Sequence, residues 1–292
     1  MAQALINGLA AGAGYALLAF GFGLVYFTTG VFHFAHGAAF TLAGYVGWAL
    51  SESCGWPLLP SVVASVAAAA ALGWAVEVWL YRPLRVRRAS SDALFLTSLG
   101  VYTVVANALA LAAGHDTKPL AGFSNPSHVL RAGGEGLPLV ITQAQVLTMA
   151  VALVLFVGLW PVLKLSRFGL AMRAYAANPT LASVLGVDDR RLLPRVAALG
   201  AGLGGVAAWC TALDVGVSPD MGLAAVVTGA VAVVVGGVGS LPGTALGGLL
   251  LGLLQQCGRL WLDARWEEAV TFGVLLGVLL LRPRGLLGGA QG

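Results

Sequence analysis

Apolar runs follow one another along almost the whole chain, separated by short polar connections. A helix needs roughly 20 mostly apolar residues to cross a bilayer. Runs at 4–27, 34–50, 60–81, 93–113, 142–163, 194–213, 222–238, 243–262 and 267–282 meet or approach that length. The second run is short and follows closely on the first. The two read either as separate spans or as one span followed by a broken or re-entrant segment. The pattern predicts an all-α, polytopic integral membrane protein with eight or nine transmembrane or re-entrant helices, in a single membrane domain over 1–292. The longest polar stretch, 114–141, carries Gly114, Pro119, Pro126, Gly133, Gly134, Gly136 and Pro138. It reads as an external loop with room for short surface elements.

Charge placement orients these runs, because cytoplasmic connections collect Lys and Arg. With the C-terminus cytoplasmic and the runs alternating backwards from it, the inner side holds Arg82, Arg85, Arg87, Arg88, Lys164, Arg167, Arg173, Arg190, Arg191, Arg195, Arg282 and Arg284. The outer side holds Lys118, Arg131, Arg259 and Arg265, a split of twelve against four. Nine spans put the N-terminus outside, where the first charged residue is Glu52. No basic segment precedes the first run, which is too long for the apolar region of a signal peptide and is expected to stay as a span.

Composition removes the competing classes. The chain is 59% hydrophobic and 10% charged, against roughly 25% charged for a soluble domain. Its three cysteines, Cys54, Cys210 and Cys257, form no CxxC pair, so neither a disulfide framework nor a zinc site is suggested. No GxxxxGK[ST] loop, HExxH, GxSxG or paired-carboxylate pattern occurs, so ATP hydrolysis by this chain alone and membrane enzymology are not expected. The spans are nearly free of charge, whereas carriers coupled to protons or sodium use ionisable groups in mid-membrane. Energy is therefore expected from a partner. Glu77, near the inner end of its run, is within reach of Arg82 or Arg85. Glycine is abundant, with 41 residues, and many recur four apart: Gly8 and Gly12, Gly200 and Gly204, Gly248 and Gly252, Gly273 and Gly277. Such spacing lets helices approach closely.

Three segments carry further signal. Phe32-His33-Phe34-Ala35-His36-Gly37 follows the first run and reads as a helix break along a transport path or as a turn with interfacial histidines. Val235-Gly236-Gly237-Val238-Gly239-Ser240-Leu241-Pro242-Gly243 cannot comfortably continue a helix. It is uncharged and faces inside, as a tight hairpin, a fold back into the membrane or a surface pressed on other protein. The inner loop 164–195 carries a short helical stretch ending at Asn178-Pro179-Thr180, then an apolar stripe of Leu181, Val184 and Leu185. It suits docking into a partner's groove or lying on the membrane surface.

Together these stretches resemble the LivH/LivM-type branched-chain amino acid permeases of bacterial ATP-binding-cassette (ABC) importers, most closely the LivH side. Tyr15-Ala16-Leu17-Leu18-Ala19-Phe20-Gly21, Leu24-Val25-Tyr26 and His33-Phe34-Ala35-His36-Gly37 match the opening motif, with His33 where asparagine is usual. Glu77-Val78-Trp79-Leu80-Tyr81-Arg82-Pro83-Leu84-Arg85 matches a second, with Val78 in place of arginine. Gly169, Arg173, Ala174, Asn178, Ala182 and Gly186 match a cytoplasmic motif, and Gly236, Gly237, Gly239, Ser240, Pro242 and Gly243 a glycine-rich one. Arg282-Pro283-Arg284-Gly285-Leu286 matches the closing motif. The resemblance implies a permease subunit that moves branched-chain amino acids across the bacterial inner membrane by alternating access. It implies a second related permease, two cytoplasmic ATPase subunits and a periplasmic substrate-binding protein as partners, with no cofactor and no nucleic acid. It makes the loop of Gly169, Arg173, Ala174, Asn178, Ala182 and Gly186 the ATPase-coupling element. The breaks at His33, His36 and Gly37 and at Gly236, Gly237, Gly239 and Ser240 are the expected lining or gate of the path. Importers of urea or short amides share this resemblance; a stand-alone channel or secondary carrier is the rival of a different class.

Overall fold

A computed structural model describes residues 1–120, 123, 125–130 and 139–288. All nine apolar runs are helical. Helix α1 (Ala2–Thr29) ends at Gly30, whose φ of +67° is one that a glycine adopts without strain. After five residues out of helix, 30–34, α2 (Ala35–Trp48) begins and runs on through a π-helical turn at Ala49–Ser53. The third run is α3 (Leu58–Val76), a second π-helical turn at Glu77–Tyr81, and α4 (Arg82–Val86). Ser90 caps α5 (Ser91–Ala113). The segment read as an external loop contains an antiparallel ribbon of β1 (Ser127–Leu130) and β2 (Leu139–Thr142); its residues 121, 122, 124 and 131–138, Arg131 among them, lie outside the described residues. Thr142 and Gln145 then form a reciprocal capping box that starts α6 (Gln143–Leu165).

The inner loop folds as two short helices, α7 (Arg167–Ala177) and α8 (Pro179–Val184), each started by a side-chain cap from Ser166 and Asn178 respectively. Asp188 caps α9 (Asp189–Val215). Helices α10 (Met221–Gly236) and α11 (Leu241–Gly258) meet at 118°, and a 3₁₀ turn at Ala264–Trp266 leads into α12 (Glu267–Leu281). Among the described residues five helices are long and apolar enough to cross a membrane alone, or six if the bent α10–α11 pair counts as one. That is fewer than the nine apolar runs. At ~1.5 Å per residue α10, α11 and α12 reach only ~22–27 Å, and α2 with its π-helical continuation no more than ~28 Å, short of the ~30 Å hydrocarbon core.

Packing fixes the direction of the helices. A Cβ on Gly8 or Gly12 of α1 would lie 2.9 Å from the Cα of Leu253 or Leu249 of α11, so these two helices touch backbone to backbone and run antiparallel. Gly248 and Gly252 are the matching small residues on α11. This is the close approach that four-residue spacing allows. Gly273 and Gly277, equally spaced, face open space. Gly73 of α3 lies against Ala197 and Ala201 of α9, and Phe20 of α1 meets Phe156 of α6. Helices α1 and α9 form the buried centre. Val104, Leu111, Leu153, Val154, Leu276 and Leu280 expose apolar side chains on the periphery, as lipid-facing surfaces do.

Two ends result. At one, the strand end, Gln3 at the start of α1 clasps Val140 of β2 through paired hydrogen bonds of 2.7 and 2.8 Å, and Lys118 bridges to Val217. At the other, the basic end, lie α4, α7, α8, the start of α9 and the last described residues. There Leu286 and Leu287 return, and their backbone N–H groups donate to the carbonyls of Val235 and Gly236 at 2.9 Å.

Candidate functional site

Two cavities open along one stripe of α1. The first, about 680 Å³, lies toward the strand end and is lined by Asn7, Gly14, Tyr15 and Leu18 of α1 with residues of α6 and α9 to α12. The second, about 1280 Å³, lies at the basic end beneath Tyr26 to Gly30, the C-terminus of α6, α7 and the turn 238–242. Leu18, Phe22 and Tyr26 are four residues apart, so they sit above one another on a single helical face. Phe22 is buried and lines neither cavity. Its ring stacks on Tyr26 at 6.1 Å and His33 at 5.6 Å, and meets Phe32 and His36 edge-on at 5.2 and 5.8 Å. Phe22 was not singled out by the sequence; its place on the stripe from Leu18 to Tyr26 is the signal that identifies it.

The break after α1 brings these rings together. The Phe34 backbone N–H donates to Ser98 Oγ at 2.9 Å, which fixes the entry of α2 against α5. His33 and His36 are both buried, 5.8 Å apart. His36 packs on Gly204 of α9, where a Cβ would stand 2.9 Å from the imidazole Nε2. Gly37 abuts Gly222, so the starts of α2 and α10 touch deep in the bundle; a Cβ on Gly37 would lie 2.5 Å from the Gly222 carbonyl oxygen. His33, His36 and Gly37 line neither cavity, and the same holds for Gly236 and Gly237; Gly239 and Ser240 line the basic-end cavity. The two segments predicted as gates are therefore apart, one in the middle of the bundle and one at its basic end. Among the described residues no third metal-ligating side chain joins the histidine pair.

At the basic end α7 is locked to α6. The Arg173 guanidinium donates to the carbonyls of Leu163 at 2.8 Å and Lys164 at 3.0 Å, satisfying acceptors that the end of α6 leaves without helical partners. Gly169 lies so close to the Leu163 carbonyl that any side chain would overlap it. Asn178 Oδ1 accepts from the Leu181 backbone N–H at 2.9 Å and sets α8 at an angle to α7. Ala182 is buried under α8, and Gly186 has a φ of +90° where the chain turns toward α9. Leu181, Val184 and Leu185 are 55%, 79% and 74% exposed. Beside this platform Glu77 accepts from Arg85 at 2.6 Å, one of the two pairings the sequence suggested. Burial raises the Tyr175 phenol above its ordinary value, and the nearby Arg85 guanidinium opposes that rise.

The strand-end cavity carries polar groups that the sequence did not single out. Arg259 of α11 pairs with Glu267 of α12, and Glu267 also accepts from Tyr15 of α1 at 3.3 Å. One turn deeper, Gln255 Nε2 donates to Thr271 Oγ1 at 2.6 Å. These five residues span α1, α11 and α12; their only local trace is the four-residue spacing within each of the pairs Gln255/Arg259 and Glu267/Thr271.

Residues 4–279 match the profile of the family described as branched-chain amino acid transport system / permease component. The chain is 32% identical to the high-affinity branched-chain amino acid transport system permease protein BraD of Pseudomonas aeruginosa, over 98% of this chain and 95% of that one. It is 30% identical to the permease protein LivH of Escherichia coli (strain K12), again over 98% and 95%. Among solved structures, PsaBC from Streptococcus pneumoniae in complex with Fab superposes with a TM-score of 0.52 at 14% identity, covering 95% of this chain and 91% of that one. That likeness concerns the fold alone.

Proposed function

The chain belongs to the family of branched-chain amino acid transport system permease components, and from that membership we propose that it is the membrane-spanning permease subunit of an ABC importer for branched-chain amino acids. The observation that carries the reading is the match to relatives of that name over nearly the full length of both chains. The paired cavities support the mechanism. A substrate held toward the strand end and released toward the basic end needs the Phe22 partition to open to one side at a time, which is alternating access. The starts of α2 and α10, meeting at Gly37 and Gly222, and the turn at Gly236, Gly237, Gly239 and Ser240 are the hinges of that change.

The basic end is cytoplasmic by the excess of Arg and Lys there, and the C-terminus lies on that side. ATP is hydrolysed by two separate subunits that dock on α7 and α8, where Leu181, Val184 and Leu185 present an apolar ridge. Arg173 transmits their movement because it ties α7 to the end of α6. A periplasmic binding protein delivers the substrate to the strand end, and a second related permease completes the membrane unit, in the bacterial inner membrane. The test is uptake of labelled leucine and labelled urea by cells with and without this gene, with and without ATP depletion. ATP-dependent leucine uptake that disappears on deletion is the expected result. Loss of urea uptake alone would move the substrate to the urea and amide class, and uptake that needs the chain but not ATP would sink the importer reading.

A further inference from the structure

Helix α3, its π-helical turn and α4 form one continuous span, Leu58–Val86. The outward stripe of this span runs through Val63, Ala67, Ala71 and Trp74 at steps of four and three residues, then jumps five to Trp79. The turn at Glu77–Tyr81 accounts for the jump. A π-turn closes its hydrogen bonds five residues apart instead of four, which lengthens the step between outward positions. Glu77 and Tyr81 are thereby buried, and Trp79 stands edge-on to Trp74 with ring centroids 6.3 Å apart. Trp79 is 70% exposed. At ~1.5 Å per residue counted from Leu58, Trp79 lies ~32 Å along the span, at the edge of a ~30 Å hydrocarbon core, and Arg82 lies ~36 Å along it, in the headgroup layer. That boundary is where tryptophan is enriched. Arg87 and Arg88 follow, both exposed. Among the described residues none of these three arginines pairs with an acid, and Glu77, the acid of this span, is buried and committed to Arg85.

We propose that this face is a binding site for one anionic phospholipid of the leaflet at the basic end. Arg82, with Arg87 and Arg88, holds the headgroup. Trp74 and Trp79 cover the glycerol and ester region, and the short side chains of Ala71 and Ala67 leave an acyl chain a track along the helix toward Val63. Three cations without a counter-charge favour a headgroup of net negative charge over a zwitterionic one. The site goes beyond the transport reading, because it depends on the chain's place in a membrane and not on what is carried.

The experiment uses the permease as it purifies, with the subunits that come with it. Retained lipid is counted by native mass spectrometry while dioleoyl phosphatidylglycerol or dioleoyl phosphatidylcholine is titrated in. Wild type retains phosphatidylglycerol in preference to phosphatidylcholine, and inorganic phosphate does not displace it, since free phosphate has no use for the apolar track. Arg82→Gln weakens phosphatidylglycerol binding about fivefold, the value of one charge near an anionic surface, and phosphatidylcholine binding less. Adding Arg87→Gln and Arg88→Gln weakens it further. Trp79→Ala, at an exposed position, weakens both lipids. Arg190→Gln removes the same charge from the start of α9, at the same end, and leaves both lipids as in wild type. Phosphatidylglycerol binding that is unchanged in Arg82→Gln, or that falls equally in Arg190→Gln, would overturn the site. Displacement by inorganic phosphate would overturn a lipid as its occupant. Loss of a co-purifying subunit from Trp79→Ala with lipid retention unchanged would give the face to a protein neighbour and overturn the site as well.

Discussion

In the proposed mechanism Phe22 is the residue that separates the two cavities. Its ring stacks on Tyr26 and His33 and meets Phe32 and His36 edge-on. Phe22→Ala removes that ring at a cost of about 3 kcal/mol or more in stability. The functional effect is larger than the structural one: leucine preloaded into proteoliposomes is expected to leak without ATP. Retention equal to wild type would show that the barrier lies elsewhere. His36 and Gly204 are coupled across α2 and α9, because the imidazole occupies the place of a Cβ. Gly204→Ala is expected to destabilise by ~1–3 kcal/mol through overpacking. Adding His36→Ala recovers part of that loss, a non-additivity readable in the melting temperatures of the four proteins of the cycle. At this scale a continuous motif, as at His33 to Gly37, marked the helix break that separates α1 from α2. The sequence was silent where a site is assembled from distant residues. Tyr15, Gln255 and Glu267 meet only because α1, α11 and α12 pack together, and no local pattern announces such a meeting.

Among elements, the pair α7–α8 is the clearest case of local sequence dictating form. Ser166 and Asn178 cap, Pro179 starts, and Gly186 turns, so two short helices separated by a bend follow from four residues. The sequence read this loop as a docking element and Arg173 as its contact. The geometry gives Arg173 an inward task, binding the last carbonyls of α6, while the exposed apolar ridge belongs to α8. Arg173→Glu puts a carboxylate against those carbonyls. Hydrogen exchange in 167–184 is expected to accelerate relative to α9, and transport-linked stimulation of the ATPase is expected to be lost with the protein still in the membrane. Stimulation at the wild-type level would remove the coupling role from this loop. The π-helical turns at Ala49–Ser53 and Glu77–Tyr81 had no signature in the apolar pattern, since one extra residue per turn leaves hydropathy unchanged. The β1–β2 ribbon was hidden for a related reason: four-residue strands are too short to display an alternation.

For the whole molecule, the alternation of apolar runs was enough for the order of the helices, and the side on which arginines accumulate predicts their direction across the membrane. Their depth was not legible there, because the shortness of α2 and α10 shows only when Gly37 and Gly222 are seen touching inside the bundle. The orientation is directly measurable. Cys54 is exposed at the strand end and Leu185 at the basic end. An impermeant thiol reagent is expected to label Cys54 in intact cells. In a Cys54→Ser background, Leu185→Cys should react only in inverted vesicles; the reverse pattern would invert the topology. The return of Leu286 and Leu287 onto Val235 and Gly236 also bears on how the protein is made. The bend between α10 and α11 leaves the ribosome dozens of residues before the segment that closes over it. Throughout that interval two backbone carbonyls at the bend lack these partners, and the latch forms only after residues 286 and 287 have emerged. A chain cut short just before Leu286 would carry all the helices described above and still present an open bend to the proteases that survey the newly made membrane.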